Sequence, residues 1–188
     1  TATFVVDMTT KTGTGTQTLS GTNSAYTGVT TISAGVLEAA ALANGGTNSS
    51  IGASANAATN LVFGAATATL RYTGNADVTT DRGFTLSSGT SNAGATLESS
   101  GTGGWMIPAA VAIGYGTVDQ ARALTLGGAG TGANTFAGTI ANNGTGADIR
   151  GATQTAANGG NITDARLSGG GVTAQNFGPI AAGAASGN

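Results

Sequence analysis

The stretch that decides the fold is Leu19-Ser20-Gly21-Thr22-Asn23, followed by Tyr26-Thr27-Gly28 and by Ile32. A similar series recurs as Leu126-Gly127-Gly128, Asn134-Thr135-Phe136-Ala137-Gly138 and Ile140, and a weaker one as Leu167-Ser168-Gly169, Asn176-Phe177-Gly178 and Ile180. Repetition of one short unit along a chain is the signature of stacked structural repeats. Such arrays act through long surfaces rather than through one pocket.

The composition suits a narrow core that is stacked in layers. Of the 188 residues, 34 are Gly, 2 are Pro and 39% are hydrophobic, many of them Ala. Charged residues make up 7% of the chain, with a net charge of −2, and the basic ones are scattered. A nucleic-acid surface needs clustered Lys and Arg, so nucleic acid is excluded as a partner. No run approaches the ~20 apolar residues of a membrane helix, so we expect no membrane insertion by this segment.

Short strands are the main secondary-structure signal. Pieces of alternating apolar and polar residues recur between Gly, Asn and Asp, which favour turns. Helical periodicity is nearly absent, and the best window for a single helical turn is residues 37–43. Leu86, Leu126 and Leu167 recur at nearly equal intervals. If one coil takes about 20 residues, each interval is two coils, and the chain makes a rod on the order of 40 Å long.

A second recurrence places Asp shortly before Arg. It occurs in four of the five Arg contexts, namely Asp81-Arg82, Asp119 with Arg122, Asp148 with Arg150, and Asp164 with Arg166. We interpret it as a repeated corner, in which Asp caps a turn and Arg lies along the surface. A ligand clamp is the alternative, and it requires several such pairs to converge.

The repeated series resembles a known family. Leu19 to Asn23, Tyr26 to Gly28, Thr30 to Ile32 and Gly35-Val36-Leu37-Glu38 are similar to the autotransporter-associated β-strand repeat, also called the passenger-associated transport repeat. The resemblance implies a right-handed parallel β-helix on a bacterial surface, in a larger adhesin-like protein. It also implies a supporting role in passenger folding and secretion, without catalytic residues. The chain is then a fragment, a processed passenger or a subunit that uses the repeat.

Catalytic and metal-binding chemistry is poorly supplied. The chain has no His and no Cys, which excludes a Ser-His-Asp triad and the usual zinc sites. Asp77 and Asp81 could share a face as paired carboxylates, but we interpret them as turn residues that flank a strand. Residues 143–148 resemble one calcium-binding nonapeptide repeat, but the second copy that should follow in tandem is missing. We therefore predict that the protein is not an enzyme and binds no cofactor or metal.

These observations predict an all-β fold, a right-handed parallel β-helix of roughly 8–10 coils with irregular loops. It forms one domain over residues 1–188. Residues 1–15 supply an N-terminal strand that caps the helix or pairs with a partner, residues 16–180 form the coils, and residues 181–188 are a flexible tail. The predicted repeat-core positions are Leu19, Tyr26, Ile32, Leu86, Leu126, Phe136, Ile140, Leu167, Phe177 and Ile180.

The predicted function is structural, in a secreted protein that is extracellular or on the bacterial cell surface. The chain is an adhesin-like stalk or a subunit of a self-assembling extracellular filament. Its partners are then neighbouring solenoid segments of a longer chain, or other copies joined end to end by strand addition. The candidate self-assembly strand contains Phe4, Val5, Val6 and Met8.

Two alternatives remain open. One is a β-helix that binds or cleaves polysaccharides, with surface glycans as partners. The other is an ice-binding solenoid, which needs Thr-x-Thr in register on successive coils. Thr67-Ala68-Thr69 is the one clear internal copy beyond the Thr-rich run of residues 12–18, so the array is irregular.

Overall fold

The computed structural model describes residues 8–64, 67–86, 93–117 and 122–140, together with the backbone of three later strands. One 3₁₀ turn, Ala58–Asn60, is the sole helical element of this part of the chain. The strands are two to seven residues long. They are β1 Thr9–Lys11, β2 Thr16–Leu19, β3 Thr30–Ile32, β4 Val36–Ala39, β5 Leu61–Phe63, β6 Thr69–Tyr72, β7 Val78–Thr79, β8 Phe84–Leu86, β9 Ala93–Ser99, β10 Trp105–Ile107, β11 Ile113–Tyr115, β12 Arg122–Gly127, β13 Asn134–Phe136, β14 Thr139–Ile140, β15 Ala152–Gln154, β16 Ile162–Thr163 and β17 Arg166–Leu167.

Three stacked sheets form the walls of the solenoid. Sheet 1 contains β1, β3, β5, β8 and β11, sheet 2 contains β2, β4, β6, β9, β12 and β15, and sheet 3 contains β7, β10, β13 and β16. A further pair joins β14 to β17. All of these pairings are parallel. The predicted all-β, parallel β-solenoid is therefore confirmed, and the right-handed sense of its coil stays a prediction.

One turn of the solenoid is called a rung here. The first rung holds β1 and β2, the second β3 and β4, the third β5 to β7, the fourth β8 to β10, and the fifth β11 to β13. Each strand pairs with the strand one rung away, so residues in equal register form columns along the axis. Sheet 2 carries a column of inward leucines, which are Leu37, Leu70, Leu97 and Leu126.

The core follows from the alternation of side chains along each strand. In β12, buried and half-buried residues alternate from Arg122 to Gly127. Successive side chains of a strand point to opposite faces, so every second residue enters the interior. In sheet 1, the inward column contains Ile32, Phe63 and Leu86, and each is at most 1% exposed. The core is thus a narrow stack of aliphatic and aromatic columns.

Most coils of the described residues are longer than the predicted length of about 20 residues. The register places Thr18 opposite Glu38, at a sequence separation of 20, and Glu38 opposite Arg71, at a separation of 33. Sheet 2 has six strands, so six rungs are visible in this sheet within the described residues, and the 8–10 coils expected for the whole chain stay a prediction. At ~4.8 Å per strand, these rungs span about 24 Å.

The even spacing of the leucines caused this error. Leu86 lies in β8 of sheet 1, whereas Leu126 lies in β12 of sheet 2. They therefore do not occupy equivalent positions, and the interval between them is not a whole number of coils. The partner of Leu86 one rung later is Tyr115, and the partner of Leu126 one rung earlier is Leu97.

The predicted helical turn at residues 37–43 is also wrong. Leu37 and Ala39 belong to β4 and are buried, while Glu38 between them faces outward. This two-residue period fits a strand. After β4, residues 40–60 leave the wall and return at β5; we call this segment the excursion. Leu42 and Ile51 of the excursion are buried, so it packs against the solenoid.

The N-terminal part of the predicted domain contains one described strand. The strand β1 lies within residues 1–15 and pairs in register with β3, with Thr9 opposite Thr30. The division into an N-terminal segment, coils and a tail stays a prediction. Residues 1–7 and 181–188 lie outside the described residues. Within those that are described, no helix has the length and apolar character that crossing a membrane requires.

Candidate interaction surfaces

The predicted repeat-core residues fall into three groups. Five are buried in the solenoid, namely Ile32, Leu86, Leu126, Phe136 and Ile140. Leu19 is partly buried and packs against the core. Tyr26 is half-buried outside any strand, and its hydroxyl lies 3.0 Å from Thr30 Oγ1. The side chain of Leu167, and all of Phe177 and Ile180, lie outside the described residues.

The first rung is polar at positions where later rungs are apolar. Lys11 occupies the column of Ile32 and Phe63, and it is 7% exposed. Its ammonium donates hydrogen bonds to the carbonyl oxygens of Thr12, Gly13 and Ala34 at 2.9, 2.8 and 3.1 Å. The apolar column of sheet 1 therefore ends at the second rung, with a charged group satisfied by backbone carbonyls.

The inward column of sheet 2 is also polar in the first rung. Gln17 lies in register with Leu37, which is fully buried, yet Gln17 itself is exposed. Thr9, in the column of Thr30, is only half-buried. The first described rung thus presents polar residues in columns that are apolar in the later rungs.

The structure describes one of the four residues of the candidate self-assembly strand. Phe4, Val5 and Val6 lie outside the described residues, and Met8, next to β1, is 63% exposed. Within the described chain, β1 and β2 stand at the ends of their sheets. Each therefore pairs on one side, to β3 and β4 respectively, and its other edge is the place where a further strand could add.

A column of charged residues runs along the outer face of sheet 2. Thr18, Glu38, Arg71 and Glu98 lie in register on four successive rungs. Thr18 Oγ1 donates to Glu38 Oε2 at 2.8 Å, and Arg71 Nη1 donates to Glu38 Oε1 at 2.9 Å. Arg71 Nε donates to Glu98 Oε2. One guanidinium thus joins carboxylates on the rungs before and after it.

Electrostatics within this column favour the charged forms. The hydrogen bond from Thr18, followed by that from Arg71, holds the pKa of Glu38 below its ordinary value. The hydrogen bond to Glu98 is the largest cause that raises the pKa of Arg71. The three side chains are 21–28% exposed, and such surface pairs contribute about 0–1 kcal/mol. Arg71 offsets part of the negative charge of Glu38 and Glu98 along the wall.

A second column of sheet 2 is rich in threonine. It contains Thr16, Val36, Thr69, Thr96 and Thr125 in register, followed by the backbone of Thr153, and Thr69 is 7% exposed. The column two residues further on is charged from the second to the fourth rung, so β2 is the sole described strand of sheet 2 that presents Thr-x-Thr outward. An ice-binding face needs that pair on successive coils. The arrangement therefore weighs against the ice-binding alternative.

The excursion is held in place by Arg82, which follows β7. Arg82 Nε donates to Ala43 O at 3.0 Å, and Nη1 donates to Ser54 Oγ at 2.8 Å. Nη2 donates to Thr47 O at 3.0 Å and to Gly52 O at 2.8 Å. The guanidinium thus lies inside the arch of the excursion, where burial lowers its pKa.

The prediction that the arginines of the Asp–Arg pairs lie along the surface is therefore wrong for Arg82 and Arg122. Arg82 is 5% exposed and Arg122 is 8% exposed. For Arg82 the physical reason is the excursion, whose backbone carbonyls replace water around the guanidinium. In the sequence, the adjacent Asp81 singled out Arg82 as part of a repeated pattern. The residues around Arg82 do not indicate that the excursion, which comes earlier in the chain, covers it. Asp119, Asp148, Arg150, Asp164 and the side chain of Arg166 lie outside the described residues.

The two candidate carboxylates bind backbone rather than each other. Asp81 Oδ1 accepts from Gly45 N at 2.7 Å, and Asp77 Oδ1 accepts from Gly104 N at 2.7 Å. They flank β7, Val78–Thr79, and bind segments on opposite sides of the third rung. Among the described residues, no three acidic side chains converge as a metal site would require. The calcium-like stretch at 143–148 lies outside them.

The stacked parallel strands, with inward apolar columns and corner-binding Asp side chains, define a β-solenoid repeat protein. Residues 10–39 match the family described as passenger-associated-transport-repeat, so this chain carries that repeat where its sequence predicted it.

The comparison with curated proteins gives a relative. The chain is similar to the adhesin BmaC autotransporter of Brucella suis biovar 1 (strain 1330), with 50% identity over 136 residues. The aligned part covers 72% of this chain and 4% of that protein. This chain therefore corresponds to a small part of the relative's length. A comparison with solved structures gives no significant match.

Proposed function

We propose that this chain is a non-enzymatic stalk segment of a large adhesin that is exported to the bacterial cell surface. The observation that carries the proposal is the 50% identity with an autotransporter adhesin. The aligned part covers only 4% of the length of that adhesin. A segment that small in so long a protein acts as one length of a longer structure. The repeat at residues 10–39 supports the same assignment.

The physics of the wall supports a stalk. The hydrogen bonds between strands run along the solenoid axis, so each rung is bonded to the next on several sides. The charged side chains on the outer face of sheet 2 are paired with one another, and Asp77 and Asp81 accept hydrogen bonds from backbone amides. The described part of the solenoid is therefore held by hydrogen bonds along its axis and has paired charged side chains on these faces. Both properties suit a structural spacer.

Neighbouring solenoid segments of a longer chain are the partners that we propose. In an end-to-end homopolymer, the first rung would stack on a rung of another copy, and the exposed amide of Gln17 would face an apolar column. Burying an amide against apolar residues is costly unless it finds new hydrogen-bond partners. The fifth rung instead keeps buried apolar residues, namely Leu124, Leu126 and Phe136, which suits continuation on that side.

Electron microscopy and sedimentation velocity of the purified 188-residue chain test this proposal. We expect short particles of one size over a wide range of protein concentration. Filaments, or particles that lengthen with concentration, would establish the self-assembling subunit instead. Deletion of residues 1–8 is the matched variant, because loss of filaments on deletion would identify strand addition through Phe4, Val5, Val6 and Met8.

A carbohydrate array tests the glycan alternative. A stalk segment should neither retain nor cleave any glycan on the array, while a β-helix that recognises polysaccharide should retain a related set. Retention of specific glycans would contradict the stalk proposal and indicate a glycan-binding role. Release of oligosaccharides would indicate an enzyme.

A further inference from the structure

The excursion contains an Asn-Gly pair, Asn44-Gly45, which is the dipeptide most prone to spontaneous deamidation. In such a pair, the backbone nitrogen of the glycine attacks Cγ of the asparagine side chain, a C–N bond forms, and ammonia leaves. Water then opens the resulting succinimide ring at either carbonyl and gives aspartate or isoaspartate. Glycine favours the attack because it has no side chain to hinder it. Since Asn44 is exposed, the pair is a candidate modification site.

Both reacting groups of this pair are hydrogen-bonded to Asp81. Gly45 N donates to Asp81 Oδ1 at 2.7 Å, and the backbone N–H of Asp81 donates to Asn44 Oδ1 at 3.0 Å. A hydrogen bond to a carboxylate is roughly twice as strong as one between neutral groups. The second carboxylate oxygen of Asp81 accepts from Asn56 Nδ2 at 3.3 Å, which connects it to a later part of the excursion. One residue therefore holds the attacking nitrogen and the attacked side chain.

The backbone around the pair is also fixed, independently of Asp81. Thr47 N donates to Asn44 O at 3.1 Å, which closes a turn. Gly46 in this turn has a φ of +81°, a left-handed conformation that favours glycine. Gly45 lies so close to the backbone of Asn56 that an added Cβ would overlap it. The backbone rotation that ring closure requires would therefore disturb several contacts at once.

We propose that Asp81 protects Asn44 from deamidation in the folded protein. The nitrogen of Gly45 must lose its proton and direct its lone pair at Asn44 Cγ before it can attack. Its N–H is instead directed at the Asp81 carboxylate, whose negative charge disfavours the loss of that proton. The bond from Asp81 N fixes the orientation of the amide that would be attacked. Asp81 is thus a positioning residue that keeps a labile pair unreactive.

The product of deamidation would not fit the same arrangement. A carboxylate at position 44 would place a second negative charge beside Asp81, and like charges that are this close disfavour each other. Isoaspartate would also lengthen the main chain by a methylene where Gly45 lies against Asn56. Deamidation of Asn44 would therefore loosen the start of the excursion.

Peptide mapping by mass spectrometry measures the modification, because replacement of an amide by an acid raises the mass of the peptide. Trypsin cuts after Lys11 and Arg71, and Asn44-Gly45 is the sole Asn-Gly pair of the fragment between them. The 188-residue chain is incubated at pH 8, once folded and once unfolded in guanidinium chloride. In the unfolded sample, Asn143-Gly144 and Asn158-Gly159 show that the incubation is long enough. We expect Asn44 to react at least about tenfold more slowly in the folded sample, because attack must break a hydrogen bond to a charged group. Equal rates in the two samples would overturn the proposal.

Asp81→Ala tests whether the carboxylate is the protecting group. We expect this variant, when folded, to deamidate at Asn44 about tenfold faster than the unaltered protein. Asp77→Ala is the matched control, because Asp77 Oδ1 also accepts from a backbone amide, Gly104 N, at 2.7 Å. It should leave the rate at Asn44 unchanged, and equal acceleration in both variants would overturn the assignment to Asp81. A slower rate in Asp81→Ala would overturn it as well, because it would identify Asp81 as a base that assists the attack.

Asp81→Asn keeps the proposal testable if Asp81→Ala does not fold. It retains an acceptor oxygen without the negative charge, so its rate at Asn44 should lie between those of the unaltered protein and the unfolded chain. A rate equal to that of the unaltered protein would contradict the role of the carboxylate charge.

Discussion

The first rung and the third rung have the same backbone but different interiors. Gln17 in β2 and Leu70 in β6 belong to one column of sheet 2, yet Gln17 is exposed and Leu70 is 1% exposed. In sheet 1, Lys11 likewise stands in the column of Phe63. Parallel pairing therefore continues where the apolar core has stopped. The lesson is that strand register and burial are separate properties of a solenoid.

This difference predicts an uneven distribution of stability along the axis. Local opening costs least where few apolar contacts are made. The third and fourth rungs stack Phe63 on Leu86 and pack Phe63 against Phe84 with ring centroids 5.8 Å apart. The first rung has no comparable contacts in these columns, so we expect it to open first.

The largest expected effect is that of Leu70→Ala. Removal of a fully buried Leu from a packed core costs about 3–4 kcal/mol of the free energy of unfolding. Urea denaturation followed by circular dichroism measures it. Gln17→Ala is the matched control in the same column, and its expected cost is below about 0.5 kcal/mol. Equal losses in the two variants would show that the two rungs do not differ in packing.

Arg82→Met should follow, with a loss of about 2–3 kcal/mol, because it keeps most of the aliphatic stem but leaves the carbonyls of Ala43, Thr47 and Gly52 without their charged donor. Limited proteolysis should then cut within residues 40–60 before the rest of the solenoid. Arg71→Met, on the outer wall, is the control and should leave the excursion resistant. Cleavage elsewhere first would contradict the role of Arg82 as the anchor.

Lys11→Met should cost about 1–2 kcal/mol, because three backbone carbonyls lose a hydrogen-bond donor at the end of the sheet 1 column. Hydrogen exchange of amides in β1 and β3 measures the local opening. Lys11→Arg retains a cation that can reach carbonyls and should lose less. Faster exchange spread evenly over all rungs would argue against a local closing role.

The smallest effect concerns pH and the outer charge column. The pKa of Glu38 is lower in the folded state than its ordinary value of 4.5. Its contribution is therefore complete well above pH 4.5 and is lost as the pH falls through the lowered pKa of the folded state. Because the group is near the surface, we expect this loss to stay below about 1 kcal/mol.

Urea midpoints at pH 7 and pH 3, for the unaltered protein and for Glu38→Gln, measure this contribution. The variant should show the smaller decrease between the two pH values. Added salt should reduce the difference between the two proteins, since the pairs are partly exposed. An unchanged decrease in the variant would show that the column does not contribute to stability.

The fold class could be predicted from the sequence because its signals are local. Gly- and Asn-bounded strands, and the repeat around Leu19 and Ile32, require no knowledge of distant residues. The coil length could not be predicted, because it depends on how far the chain leaves the wall between strands. The excursion of residues 40–60 lies between Val36 and its partner Thr69 and contributes to the greater length of this coil relative to the first.

The surfaces were predicted less well, for the same reason. Glu38, Arg71 and Glu98 are far apart in the sequence, so their column becomes visible only when the register is known. The burial of Arg82 depends on the excursion that arches over it. Lys11 was the sole lysine of the chain, yet only its place beside Ile32 shows that it closes a column.

The excursion also has a mechanical consequence. It bonds backward to the corner of the first coil, through Ser24 with Ser49 and through Ala53 N to Tyr26 O at 2.7 Å. It bonds forward to Asp81, Arg82 and, from Asn56 O, to Gly83 N at 2.9 Å. A force that pulls the first coil away must therefore break these lateral bonds together with the strand pairs. The excursion acts as a strap in parallel with the wall, beside the first described rung, where the apolar columns are interrupted by Lys11 and Gln17.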